Sequence, residues 1–130
     1  VETFRKTPQT PKGFQNFMFK KTKSSGYTEL VKGVHLKTLV YGNQTLLTEV
    51  RFEKGALIPL HSHPHEQTGY LVSGHMEFLV DGETINAKSG DSWNIAGDIE
   101  HGATAFEESV VVEVFSPVRE DYLPYYTPDE

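Results

Sequence analysis

The stretch "GALIPLHSHPHEQTGYLVSG", residues 55–74, holds the residues that decide the fold. His61, His63 and His65 stand at alternate positions, and Glu66 and Gln67 follow at once, in a chain with only six histidines. Alternate residues of a strand share a face, so His61 and His63 point the same way and Ser62 points away. Pro64 cannot donate to a ladder, so the strand ends or bends there. The chain then turns through His65 and Glu66. Gln67 opens a second strand, antiparallel to the first and beside it, close to both imidazoles. His65 loses its alternation with His63 at the Pro64 bend and reads as a supporting or solvent-exposed ring. Glu66 is the substitute oxygen ligand if the register slips by one residue.

On either side of this stretch the texture is the same. Short β-rich runs end at turn residues: "VHLKTLVYG" (34–42), "TLLTEVRFE" (45–53), "HMEFLVDG" (75–82), "ETINAKSG" (83–90), "DSWNIAG" (91–97) and "SVVVEVFS" (109–116). Asp81-Gly82 between alternating runs is a hairpin signal. No window shows a sustained helical period. Many short strands at regular spacing predict an all-β sandwich or small barrel. Residues 27–118 are expected to form it. Residues 1–26 form a basic N-terminal arm carrying Arg5, Lys6, Lys12, Lys20, Lys21 and Lys23. Its aromatic knot, Phe14, Phe17, Met18 and Phe19, is expected to pack on the body or on a partner subunit, by strand exchange in the second case. Residues 119–130 form an irregular C-terminal tail laid over the surface.

Composition narrows the chemistry. The chain has no cysteine, so a metal can be held only by His, Asp, Glu or amide oxygen. A net charge of −6 argues against a nucleic-acid partner. No apolar run approaches the roughly 18 residues of a membrane helix. No signal-peptide pattern is visible, and the cytoplasm is the expected compartment. His101 follows "AGDIE" and precedes the short strand "ATAF". His61, His63, Gln67 and His101 then make a four-ligand site with one or two positions open for a substrate. His35 and His75 have no ligand partner at a useful spacing and read as structural.

Two blocks carry a resemblance. The first is Gly55, five residues, His61-x-His63, three residues, Gln67, six residues, Gly74. The second is Gly90-Asp91, then "SWNIAGDIE", then His101. Together they resemble the two-motif pattern of the cupin superfamily over roughly residues 34–118. Gln67 stands where glutamate is usual, Ala96 where proline is usual, and Asp98 where a second glycine is usual. The resemblance implies a double-stranded β-helix, or jelly-roll, barrel with one divalent transition metal in its mouth, often in a homodimer. These ligands accept Zn, Ni, Mn, Fe or Cu. Three imidazoles and a neutral amide leave the ion its full double charge, which favours a small anionic substrate and Lewis-acid chemistry.

The last strand supplies the remaining candidates. In "VVVEVF" (110–115), Val111, Glu113 and Phe115 share one face, and Val110, Val112 and Val114 the other. Glu113 either points into the barrel as a general acid or base, or faces solvent from an edge strand. Arg119 is either a bidentate clamp on a carboxylate or the partner of Glu120 or Asp121 in a surface ion pair. The order Glu113, Phe115, Arg119 resembles the small pectin-degradation cupins, which linearise unsaturated uronates. There an acid, an aromatic and an arginine act beside a His/Gln-bound metal, although that acid is typically aspartate. The resemblance implies ring opening and tautomerisation of an unsaturated uronate. A metal-dependent dioxygenase of a small aromatic or diketone, and a non-catalytic ligand-binding cupin, stand beside it.

Overall fold

The computed structural model describes residues 19–128. Its strands are β1 (Thr28–Val31), β2 (Val34–Tyr41), β3 (Leu46–Phe52), β4 (Leu57–His61) and β5 (Glu66–Ser73). They continue as β6 (His75–Val80), β7 (Glu83–Lys88), β8 (Ser92–Ile95), β9 (His101–Ala105) and β10 (Ser109–Ser116). A short 3₁₀ helix, Glu120–Tyr125, follows. A six-stranded sheet has the order β1-β2-β3-β10-β5-β8, and a four-stranded sheet the order β4-β9-β6-β7. All the strand pairs are antiparallel. This is the jelly-roll barrel that the sequence implied.

Alternation explains why these runs are strands and which way they face. Along β10, Ser109, Val111, Glu113 and Phe115 are buried, while the residues between them are half-buried. Along β3, Leu46, Thr48, Val50 and Phe52 point inward. Leu36, Leu71, Met76 and Val34 are essentially inaccessible and, with Phe78 and Val111, fill the barrel. Each such side chain contributes about 1.5–3 kcal/mol by leaving water. Asp81 (φ 49°) and Gly82 (φ 80°) both take left-handed backbone, which is the turn a right-twisted two-residue hairpin needs. Val80 therefore pairs with Glu83.

Three local expectations are corrected. First, β5 does not lie beside β4. β4 pairs with β9 in the smaller sheet, and β5 lies between β10 and β8 in the larger one. The Pro64 bend carries the chain from one sheet to the other. Second, β4 ends at His61, so His63 sits in the crossing loop rather than on the same strand. Third, of the two packings expected for Phe19, on the body or on a partner subunit, the one on the body is not seen. Phe19 is 70% exposed, with the Lys21 Nζ 5.4 Å from its ring. Phe14, Phe17 and Met18 lie outside the described residues.

The tail is ordered more closely than its prolines suggest. Tyr122 packs edge-on against Phe115 at 5.5 Å, and the Thr38 hydroxyl donates to the Tyr122 carbonyl at 2.7 Å. Lys20 donates to the Thr127 carbonyl, so the described end of the arm runs beside the tail. Among the described residues no helix is long and apolar enough to cross a membrane.

Candidate metal centre and cavity

β4 and β9 set His61 and His101 directly opposite each other in register. Their ring centroids are 4.4 Å apart, and the His63 ring, from the crossing loop, lies 5.6 Å from His61 and 4.9 Å from His101. One ring nitrogen from each lies within 4.8 Å of the others. Two backbone contacts hold the crossing loop against the loop before β9. Asp98 N–H donates to the His63 carbonyl at 2.7 Å, and Gly97 approaches Pro64 so closely that a Cβ would fall 2.3 Å from its carbonyl oxygen. Asp98 has φ 66°, which shows why glycine is usual at this position and why Asp, tolerant of left-handed backbone, replaces it.

The hydrogen bonds fix the tautomers. Nδ1 of His61 lies 2.9 Å from the Pro59 carbonyl, that of His63 3.0 Å from the His65 carbonyl, and that of His101 2.8 Å from the Ile99 carbonyl. A carbonyl can only accept, so each Nδ1 carries the hydrogen and donates. Each Nε2 is left with its lone pair. The His101 Nε2 is buried and has no hydrogen-bond partner among the described residues. The His63 Nε2 faces the Gln67 Oε1 at 2.9 Å. Gln67 is oriented by its amide nitrogen, which donates to the Glu113 carboxylate. Two acceptors therefore meet at His63 and Gln67, an arrangement that a cation resolves. Burial, with the Arg119 and His101 charges, holds His63 down at about 4, and burial lowers His101 as well. His63 and His101 are therefore neutral near pH 7, as metal ligands must be. The donor set thus fits a divalent transition metal.

Glu113 points inward. It pairs with Gly69 on β5 and Thr48 on β3 and lines the same cavity as His61, Gln67, His101, Phe115 and Arg119. Its Oε2 accepts from Gln67 and, at 3.1 Å, from the Trp93 indole N–H. Burial pushes its pKa up, against the pull of these two donors and of the Arg119 charge. Arg119 pairs with Asp121 and also lines the cavity. Its Nε donates to Asp121 at 3.1 Å, yet its side chain is only 11% exposed. Its guanidinium lies 3.8 Å from the Tyr122 ring centroid and 5.0 Å from that of Phe115.

Other candidates fall elsewhere. The Glu66 carboxylate accepts from Asn94 on the exposed face and does not join the cluster. His65 is half-buried, 5.6 Å from the His63 ring. His75 packs on Phe106 at 5.0 Å. His35 does have partners, contrary to expectation: its Nε2 lies 2.8 Å from Glu53 and 3.8 Å from Glu29. The three come from separate segments, so no local spacing could show them. Tyr122 lines the cavity, and Trp93 reaches the Glu113 carboxylate through its indole N–H, without either having stood out in the sequence. A lone glycine inside β5, Gly69, was the available signal for Trp93, because such a residue marks a close approach.

The cupin domain family model matches residues 48–116. The chain belongs to the cupin family. It is 33% identical over 99 residues to the pectin degradation protein KdgF of Dickeya dadantii (strain 3937), covering 75% of this chain and 90% of that one. Among solved structures, KdgF from Halomonas sp. is 31% identical, with a TM-score of 0.76, over 81% of this chain and 97% of that chain. An RmlC-like cupin from Shewanella frigidimarina NCIMB 400 is 27% identical, with a TM-score of 0.77, over 82% and 96%.

Proposed function

We propose that this chain is a metal-dependent cupin that linearises unsaturated uronates, the small acidic sugars left by polysaccharide lyases. The observation that carries this is the meeting of three kinds of group on one cavity: convergent imidazoles, a buried carboxyl and a half-stacked guanidinium. Likeness to two KdgF proteins, one of them named for pectin degradation, supports it.

His61, His63, His101 and Gln67 would hold the metal, which when bound supplies positive charge to polarise substrate oxygens. The chain's own groups then divide the work. Arg119 binds the sugar carboxylate, because its Nε is taken by Asp121 and its remaining N–H groups form a planar fork. Phe115 and Tyr122 pack against that fork and limit its movement. Glu113 moves the proton. An unsaturated uronate is a hemiacetal whose ring oxygen is also an enol ether. Loss of the C1 hydroxyl proton to Glu113 lets the C1 carbonyl form as the C1–ring oxygen bond breaks. The released enolate becomes a ketone when Glu113 returns that proton to the neighbouring alkene carbon. The balance is a pure isomerisation with no oxidant.

Decay of the enol-ether ultraviolet absorbance of an unsaturated uronate monomer tests this. Metal-loaded protein should accelerate the decay over the spontaneous rate, with or without dioxygen, and His61→Ala and Glu113→Gln should not. Glu113→Gln protein that binds metal and keeps full rate excludes the proton role. Turnover that consumes oxygen identifies a dioxygenase instead. A homodimer and a cytoplasmic location belong to the same proposal, and light scattering on the full chain tests the first.

A further inference from the structure

We infer that Trp93 is a positioning residue that clamps one oxygen of Glu113, so that Oε1 is the oxygen exchanging the substrate proton. The assignment of that proton rests on the uronate reading above; the clamp itself does not.

Three strands set the clamp in one row. Trp93 on β8 pairs with Gly69 on β5, and Gly69 pairs with Glu113 on β10. Gly69 has no side chain, and the indole occupies that space. A Cβ on Gly69 would fall 2.2 Å from the indole nitrogen and 2.3 Å from Cε2. Glycine inside a strand costs about 0.5–1 kcal/mol against alanine. Here it lets the indole cross β5 and reach the carboxylate on the next strand. The ring also packs on Phe78, at 4.5 Å between centroids.

The hydrogen bond at the end of this row is selective. The indole N–H and the Gln67 amide both donate to Oε2. Oε2 is thereby engaged by two donors, and Oε1 is left to carry the proton. An indole N–H only donates and does not titrate, so it fixes the carboxylate without competing for the proton. Gln67 spans from the same oxygen to the His63 nitrogen, so the clamp also holds the amide that faces the imidazole cluster.

Trp93 is the chain's only tryptophan, which makes the clamp directly observable. In zinc-loaded, ¹⁵N-labelled protein the indole N–H gives a single resonance. A donor bonded to a carboxylate should resonate downfield, and Glu113→Gln should move it upfield with the backbone pattern otherwise kept. An indole resonance indifferent to Glu113→Gln overturns the clamp, whatever the substrate. For the proton role, Trp93→Phe keeps the ring against Phe78 and loses the donor. It should bind zinc as the parent does and lower kcat on the uronate by about 10- to 100-fold at nearly constant KM. Full kcat in Trp93→Phe, or a loss that appears in KM rather than kcat, overturns the positioning role. A parent protein inert toward uronates defeats the proposed function, and the indole resonance then decides the clamp alone.

Discussion

Residue by residue, the cavity sets two titrating groups against each other. His63 is held at about 4 by burial and neighbouring positive charge, below the ordinary 6.5. Between those values an unfolded chain binds a proton that the folded chain refuses, so stability rises with pH across the window. Chelator-treated protein should hold its full stability above pH 6.5 and lose it as the pH falls towards 4. Melting temperature against pH checks this, and His63→Gln should flatten the profile. Glu113 works in the opposite sense. Burial raises its pKa, so its favourable contribution lies below the ordinary carboxyl value and is lost as the pH rises through the folded value. Glu113→Gln keeps an oxygen for Trp93 to donate to and removes the buried charge. It should stabilise the metal-free protein at pH 8 by about 1 kcal/mol while abolishing turnover, as expected when a functional group is retained at a cost in stability. A Glu113→Gln protein that melts lower at pH 8 contradicts the burial account.

Among the elements, the two loops around the imidazoles are the sensitive joint. The crossing loop and the loop before β9 touch through Gly97 and Pro64, where backbone rather than a flexible side chain blocks any added atom. Gly97→Ala should push the His63 loop off the loop before β9 and weaken metal binding about 10- to 100-fold, with β-sheet circular dichroism unchanged. Titration with zinc against a chromophoric competitor measures this, and parental affinity would show that the loops move independently. The same joint marks where the sequence stops being legible. The alternation in "VVVEVF" was legible, since a period of two is a local property, but which face turns inward was not: pairing between β3 and β5 makes β10 a central strand and turns Glu113 into the barrel. His61 and His101 were also legible as neighbours through their motif spacing. What the sequence could not show was which sheet each strand joins. β4 and β5 are adjacent in the chain but belong to opposite sheets, because pairing is decided by long-range partners such as β9 and β10. Trp93 was missed for the same reason: its partner Glu113 lies two strands away. β1 was missed because its four residues alternate weakly and pair through a bulge.

At the scale of the molecule, the proposed ligands come from both sheets. His61 and His101 belong to the four-stranded sheet, Gln67 to the six-stranded one, and His63 to the segment between them. An ion on this set would tie the two sheets and would resolve the facing acceptors of His63 and Gln67. Unfolding would have to release it, because no unfolded chain presents these four groups together. Free metal at about 1,000 times its Kd should then add about 4 kcal/mol. For a chain of this size that raises the melting temperature by roughly 10–20 °C. Gln67→Ala separates the tie from simple binding. It keeps the three imidazoles and removes the ligand on the larger sheet. Its own rise on metal addition should be well below that of the parent, each measured against the same protein with chelator. An equal rise in Gln67→Ala would mean that the ion rests on the smaller sheet and its loop alone. No rise in the parent with zinc, nickel, manganese or iron would remove the metal from the proposed function altogether.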